Sequence, residues 1–300
     1  MKKQSTSSDI LIGVGLRHNH YEDALTRPKA IDFIEVHAEN FFAEGGAAKA
    51  VLDQVAKQYA ISLHATTLGL GSARGIPKQP LQKLRQLIEQ SQPLLVSDHA
   101  CFTWSSLQQD SNNEELFSPV HAGDLLPIAF NAETLDITVE NVESVQRHIS
   151  RQLLVENLSA YITPEGSTMS EVSFLTELCL RANCRLLLDI NNLVVNATNA
   201  NSADILGDVS GYIQQIPQQL VGEIHLAGCT PAQPGAPMID DHSQPVPDIV
   251  WEGYRIALKH FGAIPTLVEW DTALPSWEVL TAEAAKARAI AEEVLSRDVA

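Results

Sequence analysis

Cationic side chains are scarce in this 300-residue chain: Lys and Arg number 20 against 37 Asp and Glu, a formal net charge of −17 with neutral His. Such a chain repels phosphate backbones and anionic lipid headgroups, which argues against a nucleic-acid partner and against a membrane surface. Cysteine is sparse too. The four present, Cys101, Cys179, Cys184 and Cys229, form no Cys-x-x-Cys pair and are too few for a disulfide framework, as expected of a protein kept in a reducing compartment such as the cytoplasm. No apolar run approaches the ~20 residues that a membrane-spanning helix needs. The stretch MKKQSTSSDILIGVG at the start has basic residues but no apolar core ahead of a small-residue cleavage site, so it does not read as a signal peptide. Charged residues make up only 19% of the chain and apolar ones 45%, enough to bury a large core and too apolar for a disordered chain.

What is present is a repeated unit: a short β-branched or Leu-rich run, a polar residue at its end, a loop, then a stretch of helical periodicity. Eight such runs occur, at residues 10–17, 31–37, 61–66, 94–100, 153–158, 184–192, 221–228 and 265–271. Each is a continuous apolar segment of strand length, the signature of parallel strands covered on both faces. Between them, PLQKLRQLIEQ (80–90) sets Leu81, Leu84, Leu87 and Ile88 on one helical face. The segment 135–150 contains a strand-like ITVEN, yet Leu135, Thr138, Val139, Val142, Val145 and Ile149 recur at spacings of three and four behind a capping Asn131. It reads as a helix, which puts Glu140 on a helix surface. Eight strands with intervening helices predict an α/β fold, a (β/α)8 TIM barrel formed as a single domain over 1–300. Two long segments, 105–127 and the Pro-rich 230–248, follow strands directly and read as loops on the C-terminal face, where loops of that length are commonly functional.

Aligning the strand ends brings polar residues into register. His64 ends the third strand, Asp98-His99 the fourth, Glu156-Asn157 the fifth, Asp189 with Asn191-Asn192 the sixth, His225 the seventh and Glu269 with Asp271 the eighth. Asp240, Asp241 and His242 follow strand seven. In a TIM barrel these positions converge on one face, and burying so many carboxylates and imidazoles together requires compensation, which a metal ion supplies. Alternation along a strand lets only one of Asp98 and His99 point inward, and one of Glu156 and Asn157. His99 and Glu156 are the inward choices, with Asp98 behind His99. Mixed imidazole and carboxylate donors without Cys suit Fe(II), Mn(II) or Zn(II), and the candidate ligands outnumber what one octahedral ion takes. Asp240 and His242, two apart, face the same way in an extended segment, with Asp241 turned away.

The ordered motifs GVGLR (13–17), IEVHAENFF (34–42), SLHATTLGLGS (62–72), SDHACFTW (97–104), LLVENLSAYI (153–162), LLLDINNLVVNA (187–197), EIHLAGC (223–229), DDHSQPVPD (240–248) and TLVEWD (266–271) resemble the multinuclear non-heme iron-dependent oxidative enzymes, a family that includes the iron oxidase of methanobactin biosynthesis. The resemblance covers nearly the whole chain. It implies a TIM barrel with two or three iron ions that uses O2 to modify cysteine residues of a ribosomally synthesised precursor peptide, alongside a small leader-recognising partner protein. By the same resemblance His64, His99, Glu156, Asn192 with Asp189 in reserve, His225, Asp240, His242 and Glu269 are the iron ligands. Two departures stand out: Asn199-Ala200, where members often carry Asn-His, and Val36-His37, where an aliphatic residue followed by Pro is usual. The runner-up is a divalent-metal isomerase or hydrolase of the xylose-isomerase or endonuclease-IV type, which shares barrel and ligand types; the acidic charge disfavours the nuclease.

Overall fold

The computed structural model describes residues 10–108, 117–231, 233 and 235–297. In chain order the strands are β1 (Ile12–Gly15), β2 (Phe33–His37), β3 (Ala60–His64), β4 (Leu95–His99), β5 (Cys101–Gln108), β6 (Phe117–Pro127), β7 (Leu154–Glu156), β8 (Arg185–Asp189), β9 (Val221–Leu226) and β10 (Thr266–Val268). All but β5 and β6 pair in parallel and close into a barrel, in the order β1-β10-β9-β8-β7-β4-β3-β2. The eight apolar runs are therefore the eight barrel strands, and the fold is the TIM barrel.

The helices that cover the barrel are built as their periodicity requires. In α4 (Ala132–Ile149), Leu135, Val139, Val142, Val145 and Ile149 are buried, and Asn131 caps the helix by accepting the Thr134 N–H. Glu140 is exposed on the far side. Leu81, Leu84, Leu87 and Ile88 form the buried stripe of α3 (Lys78–Ser91).

Three expectations are corrected. Segment 105–127 is no open loop: β5 and β6 form an antiparallel hairpin, Cys101 opposite Pro127 and Ser105 opposite Val120; its residues 109–116 lie outside the described part. The sixth strand stops at Asp189, because the Asp189 carboxylate accepts the Asn192 N–H and starts α6 (Ile190–Asn199), so Asn191 and Asn192 sit on the first helical turn. His242 has a left-handed backbone (φ 43°), so Asp240 and His242 meet across a turn and not along an extended segment.

Segment 230–248 folds back onto its own strand. The Gln244 N–H donates to the Gly228 carbonyl, and a Cβ at Gly228 would lie 2.2 Å from the Pro245 oxygen. Only glycine permits that approach. On the neighbouring strands Asn157 clamps β7 to β8: its Oδ1 accepts the Asp189 N–H at 2.9 Å and its Nδ2 donates to the Asp189 carbonyl at 3.0 Å, all fully buried. Asn157→Leu strands both backbone groups and should destabilise the metal-free protein by about 2–4 kcal/mol, read as a lower denaturant midpoint; an unchanged midpoint would remove this role from Asn157.

Candidate metal centre

Strand register sets the first group of donors. His99 of β4 pairs with Glu156 of β7 and Ser97 with Leu154, while His64 of β3 pairs with Ser97. His64 Nε2 lies 3.5 Å and His99 Nε2 3.4 Å from Glu156 Oε2, with all three residues buried. These separations are too long for good hydrogen bonds. They match two donors sharing a tetrahedral ion, which at about 2.1 Å bond lengths stand ~3.4 Å apart. The other ring nitrogen of His64 is 2.8 Å from Ser97 Oγ; donation from Nδ1–H leaves the Nε2 lone pair facing Glu156. As the alternation predicts, Asp98 sits behind His99, its Oδ1 3.6 Å from His99 Nδ1 and accepting the His99 N–H while Oδ2 accepts the Leu68 N–H.

Further round the barrel, a second group overlaps the first and a third overlaps the second. Glu156, Asp189 and His225 offer atoms within 4.8 Å of one another, as do Asp189, His242 and Glu269. Glu156 and Asp189 thus each belong to two groups. The hydrogen-bond needs of Asp189 Oδ2, Glu156 Oε2 and Asn192 Oδ1 are unmet in the protein although all three atoms are buried. That is the condition a cation relieves. Asn192 Nδ2 donates to the Asn157 carbonyl, which turns its free Oδ1 the other way, whereas Asn191 Nδ2 is committed to Asp240 Oδ1. This geometry separates the two asparagines that the sequence leaves side by side.

The returning segment contributes last. Asp240 Oδ1 lies 2.8 Å from His242 Nε2, and His242 Nδ1 is 3.5 Å from Glu269 Oε2. Asp240 reaches the centre through His242 and belongs to no group of three among the described residues. Asp241 turns away from the centre, but it is not idle: its carboxylate accepts from Thr230 N, Thr230 Oγ1 and Ser243 Oγ. The mouth opens into a cavity of about 320 Å³, whose walls include His37, Tyr161, Asn192 and Thr272.

Sequence reasoning missed four residues here, Arg17, Glu35, His37 and Glu223, and left Asp271, seen at the eighth strand end, outside the ligand set. His37 and Asp271 join Glu269 in a fourth group, tied together by the buried Arg17. The Arg17 guanidinium donates to Glu269 Oε1 and Asp271 Oδ1 and to His37 Nε2 at 2.9 Å. Glu35 and Glu223 lie two residues before His37 and His225 on the same strands, where side chains point the same way. That parity was the available signal for both.

Burial dominates the electrostatics. It pushes Glu156 up to about 8 against the pull of His99, and Asp189 up to about 7 with help from Asp240. Burial would lower His99, but Glu156 and Asp98 outweigh it and raise it to about 9. His64 stays well below its ordinary value through burial and the neighbouring imidazole of His99. For Glu269 the burial effect is overcome by His242 and His225, which hold it well below the usual range.

A TIM barrel with overlapping histidine–carboxylate groups at the C-terminal ends of its strands defines a metal-dependent enzyme class. The likeness to known proteins narrows it. The profile of RiPP precursor modification enzymes MbnB/TglH/ChrH matches residues 11–292, and the chain belongs to that family, whose members act on ribosomally made precursor peptides. A UPF0276 protein of Vibrio vulnificus (strain YJ016) is 41% identical over 281 residues, covering 93% of this chain and 91% of the relative. One from Chromobacterium violaceum is 39% identical over 278 residues, covering 93% and 94%. Among solved structures, D-psicose 3-epimerase with D-tagatose from Clostridium cellulolyticum H10 superposes with a TM-score of 0.57 at 12% identity, covering 95% of this chain and 99% of that one. A xylose isomerase-like TIM barrel protein from Mycobacterium smegmatis in complex with magnesium gives 0.55 at 15% identity, covering 89% and 85%. At such identities these two share the barrel alone.

Two outcomes follow from the geometry. Because Asp189, Glu156 and His99 hold protons above their ordinary values, the metal-free protein should lose stability as pH rises from the ordinary carboxylate range, about 4, to about 9, with the share of Asp189 complete near pH 7, that of Glu156 near 8 and that of His99 near 9. A divalent ion must displace those protons, so calorimetry in buffers of different ionisation enthalpy should show proton release on loading and tighter binding at pH 8 than at pH 6; pH-independent binding would contradict it. Asp241→Ala removes three hydrogen bonds and should lower the local opening free energy of 230–245 by about 1–2 kcal/mol, seen as faster amide exchange there.

Proposed function

We propose that this chain is a multinuclear non-heme iron-dependent oxidase that uses O2 to modify a cysteine residue of a precursor peptide. The observation that carries the reading is the chain of three donor groups joined by Glu156 and Asp189, too many donors for one ion and suited to two or three. His64, His99 and Glu156 would hold one iron, Asp189, His242 and Glu269 another, and His225 with the two shared carboxylates the position between, bordered by Asp240 and Asn192. Bound there, ferrous iron supplies electrons for O2 and a Lewis acid that binds the substrate thiolate.

The protein's own part is positional. The cavity of about 320 Å³ takes a side chain with its flanking backbone, so the peptide enters as an extended tip. Arg17 fixes Glu269 through Oε1, which leaves Oε2 turned to His225 and His242. The cysteines of the chain itself are not the nucleophile: Cys101, Cys179 and Cys184 are buried, and burial with Asp240 nearby pushes the Cys229 thiol up to about 11. Exposed Tyr161, Ile162 and Ile239 give an apolar patch next to the mouth, which supports docking of a small leader-recognising partner. The free thiols of all four cysteines fit a cytoplasmic setting.

Protein reconstituted without oxygen should carry more than one iron per chain. Glu156→Gln should lose iron and peptide-dependent O2 consumption together, while the exposed Glu140→Gln should lose neither. Retained zinc or magnesium with less than one iron per chain would favour the isomerase or hydrolase alternative and overturn the oxidase.

A further inference from the structure

Beneath the mouth lies a second cluster that shares His225 with the proposed centre and adds two carboxylates, Glu35 and Glu223, that the centre does not use. Glu35 pairs in register with Ser62, one inward layer below His37 and His64; Glu223 stands two residues below His225 on β9, a step of roughly 7 Å down the barrel axis. TIM-barrel interiors at this level are ordinarily filled by branched apolar side chains. Here two carboxylates and an imidazole, each no more than 1% exposed, meet instead.

Their hydrogen bonding leaves a particular remainder. Glu35 Oε2 accepts from Ser62 Oγ at 2.8 Å. Four buried atoms have no hydrogen-bond partner in the protein: Glu35 Oε1, Glu223 Oε1, Glu223 Oε2 and His225 Nε2. They face one another. His225 Nε2 is 3.5 Å from Glu35 Oε1 and 3.8 Å from Glu223 Oε1, and the three residues offer atoms mutually within 4.8 Å. A buried carboxylate with neither oxygen satisfied costs several kcal/mol unless charge or protons are supplied.

We propose that Glu35, Glu223 and His225 form a separate floor site for one divalent first-row cation. Each of the four unsatisfied atoms then becomes a ligand: Glu223 through both oxygens, Glu35 through Oε1 and His225 through Nε2. A doubly charged ion neutralises the two carboxylates, and the imidazole is a neutral donor. Oxygen and nitrogen donors without sulfur suit manganese, iron, cobalt or zinc. One tautomer suits the site: with Nδ1–H donating to Glu269 Oε2 at 3.2 Å, Nε2 keeps its lone pair for the ion. With an ion also bound on the mouth side, that proton leaves to solvent and the ring bridges the two.

The floor site is separable from the oxidase reading, because it requires neither iron nor O2. Full-length protein is stripped with chelator, reloaded with Mn(II), desalted and its metal counted per chain by mass spectrometry, with circular dichroism as the folding control. Glu223→Gln and Glu35→Gln should each hold about one ion per chain fewer than the natural protein. His242→Ala, a mouth variant, should keep the floor ion. Anomalous diffraction from Mn(II)-loaded crystals should show a peak between Glu35 and Glu223, and its loss in Glu35→Gln. Equal metal counts in the natural protein and both glutamine variants, or no anomalous peak at the floor, overturn the site and leave protons as the neutralising charge. If Glu223→Gln does not fold, Glu35→Gln and the diffraction result decide. A floor ion in protein that, offered Fe(II) without oxygen, takes no iron at the mouth would refute the oxidase and keep this inference.

Discussion

Two imidazoles press against one carboxylate oxygen at distances no good hydrogen bond fills, and this unsatisfied contact governs the rest of the molecule. Charges of that kind are taken out of water only when something else holds them. The barrel does the holding: its core of Val, Ile and Leu between strands and helices supplies the burial energy that lets a few strand ends stay polar. The site is thus local frustration carried by an otherwise consistent fold.

Neighbouring devices all reduce the freedom of the donors. Ser97, Asp98, Asn191 and Arg17 each hold one donor by a hydrogen bond or an ion pair, and so fix ring orientation or which carboxylate oxygen is free. Asn157 does the same for backbone, locking the strand end that presents Asp189. The result is a set of side chains that moves little when charge arrives, which is what a preorganised centre requires.

How much of this was legible depended on which force set each element. Barrel strands were readable because both faces are buried and the residues are apolar throughout. The α4 helix was readable despite its strand-like ITVEN, because periodicity and the Asn131 cap agreed. The hairpin of β5 and β6 was not: residues such as Pro119 and Val120 are exposed, so no burial pattern marked it. The helical start after Asp189 was hidden by a carboxylate that looked like a pure ligand and is also a cap. Arg17 and His37 escaped notice because their importance lies in contacts between β1, β2 and the end of β10, some 250 residues apart in sequence for Arg17 and Glu269, which no local pattern carries. Membership of the RiPP-modifying family was visible in the ordered motifs, since all but DDHSQPVPD (240–248) include a barrel strand or its end.

The left-handed His242 has a consequence in time. Strand-borne donors arrive with the barrel, because their positions are the barrel's own hydrogen-bond register. His242 arrives only when the segment from Thr230 closes over Gly228 and a strained residue is fixed by its neighbours. A local opening of that segment alone would take His242 out of the mouth while the strand-borne donors keep their register. Such an opening would give entering ions a doorway that the closed protein narrows.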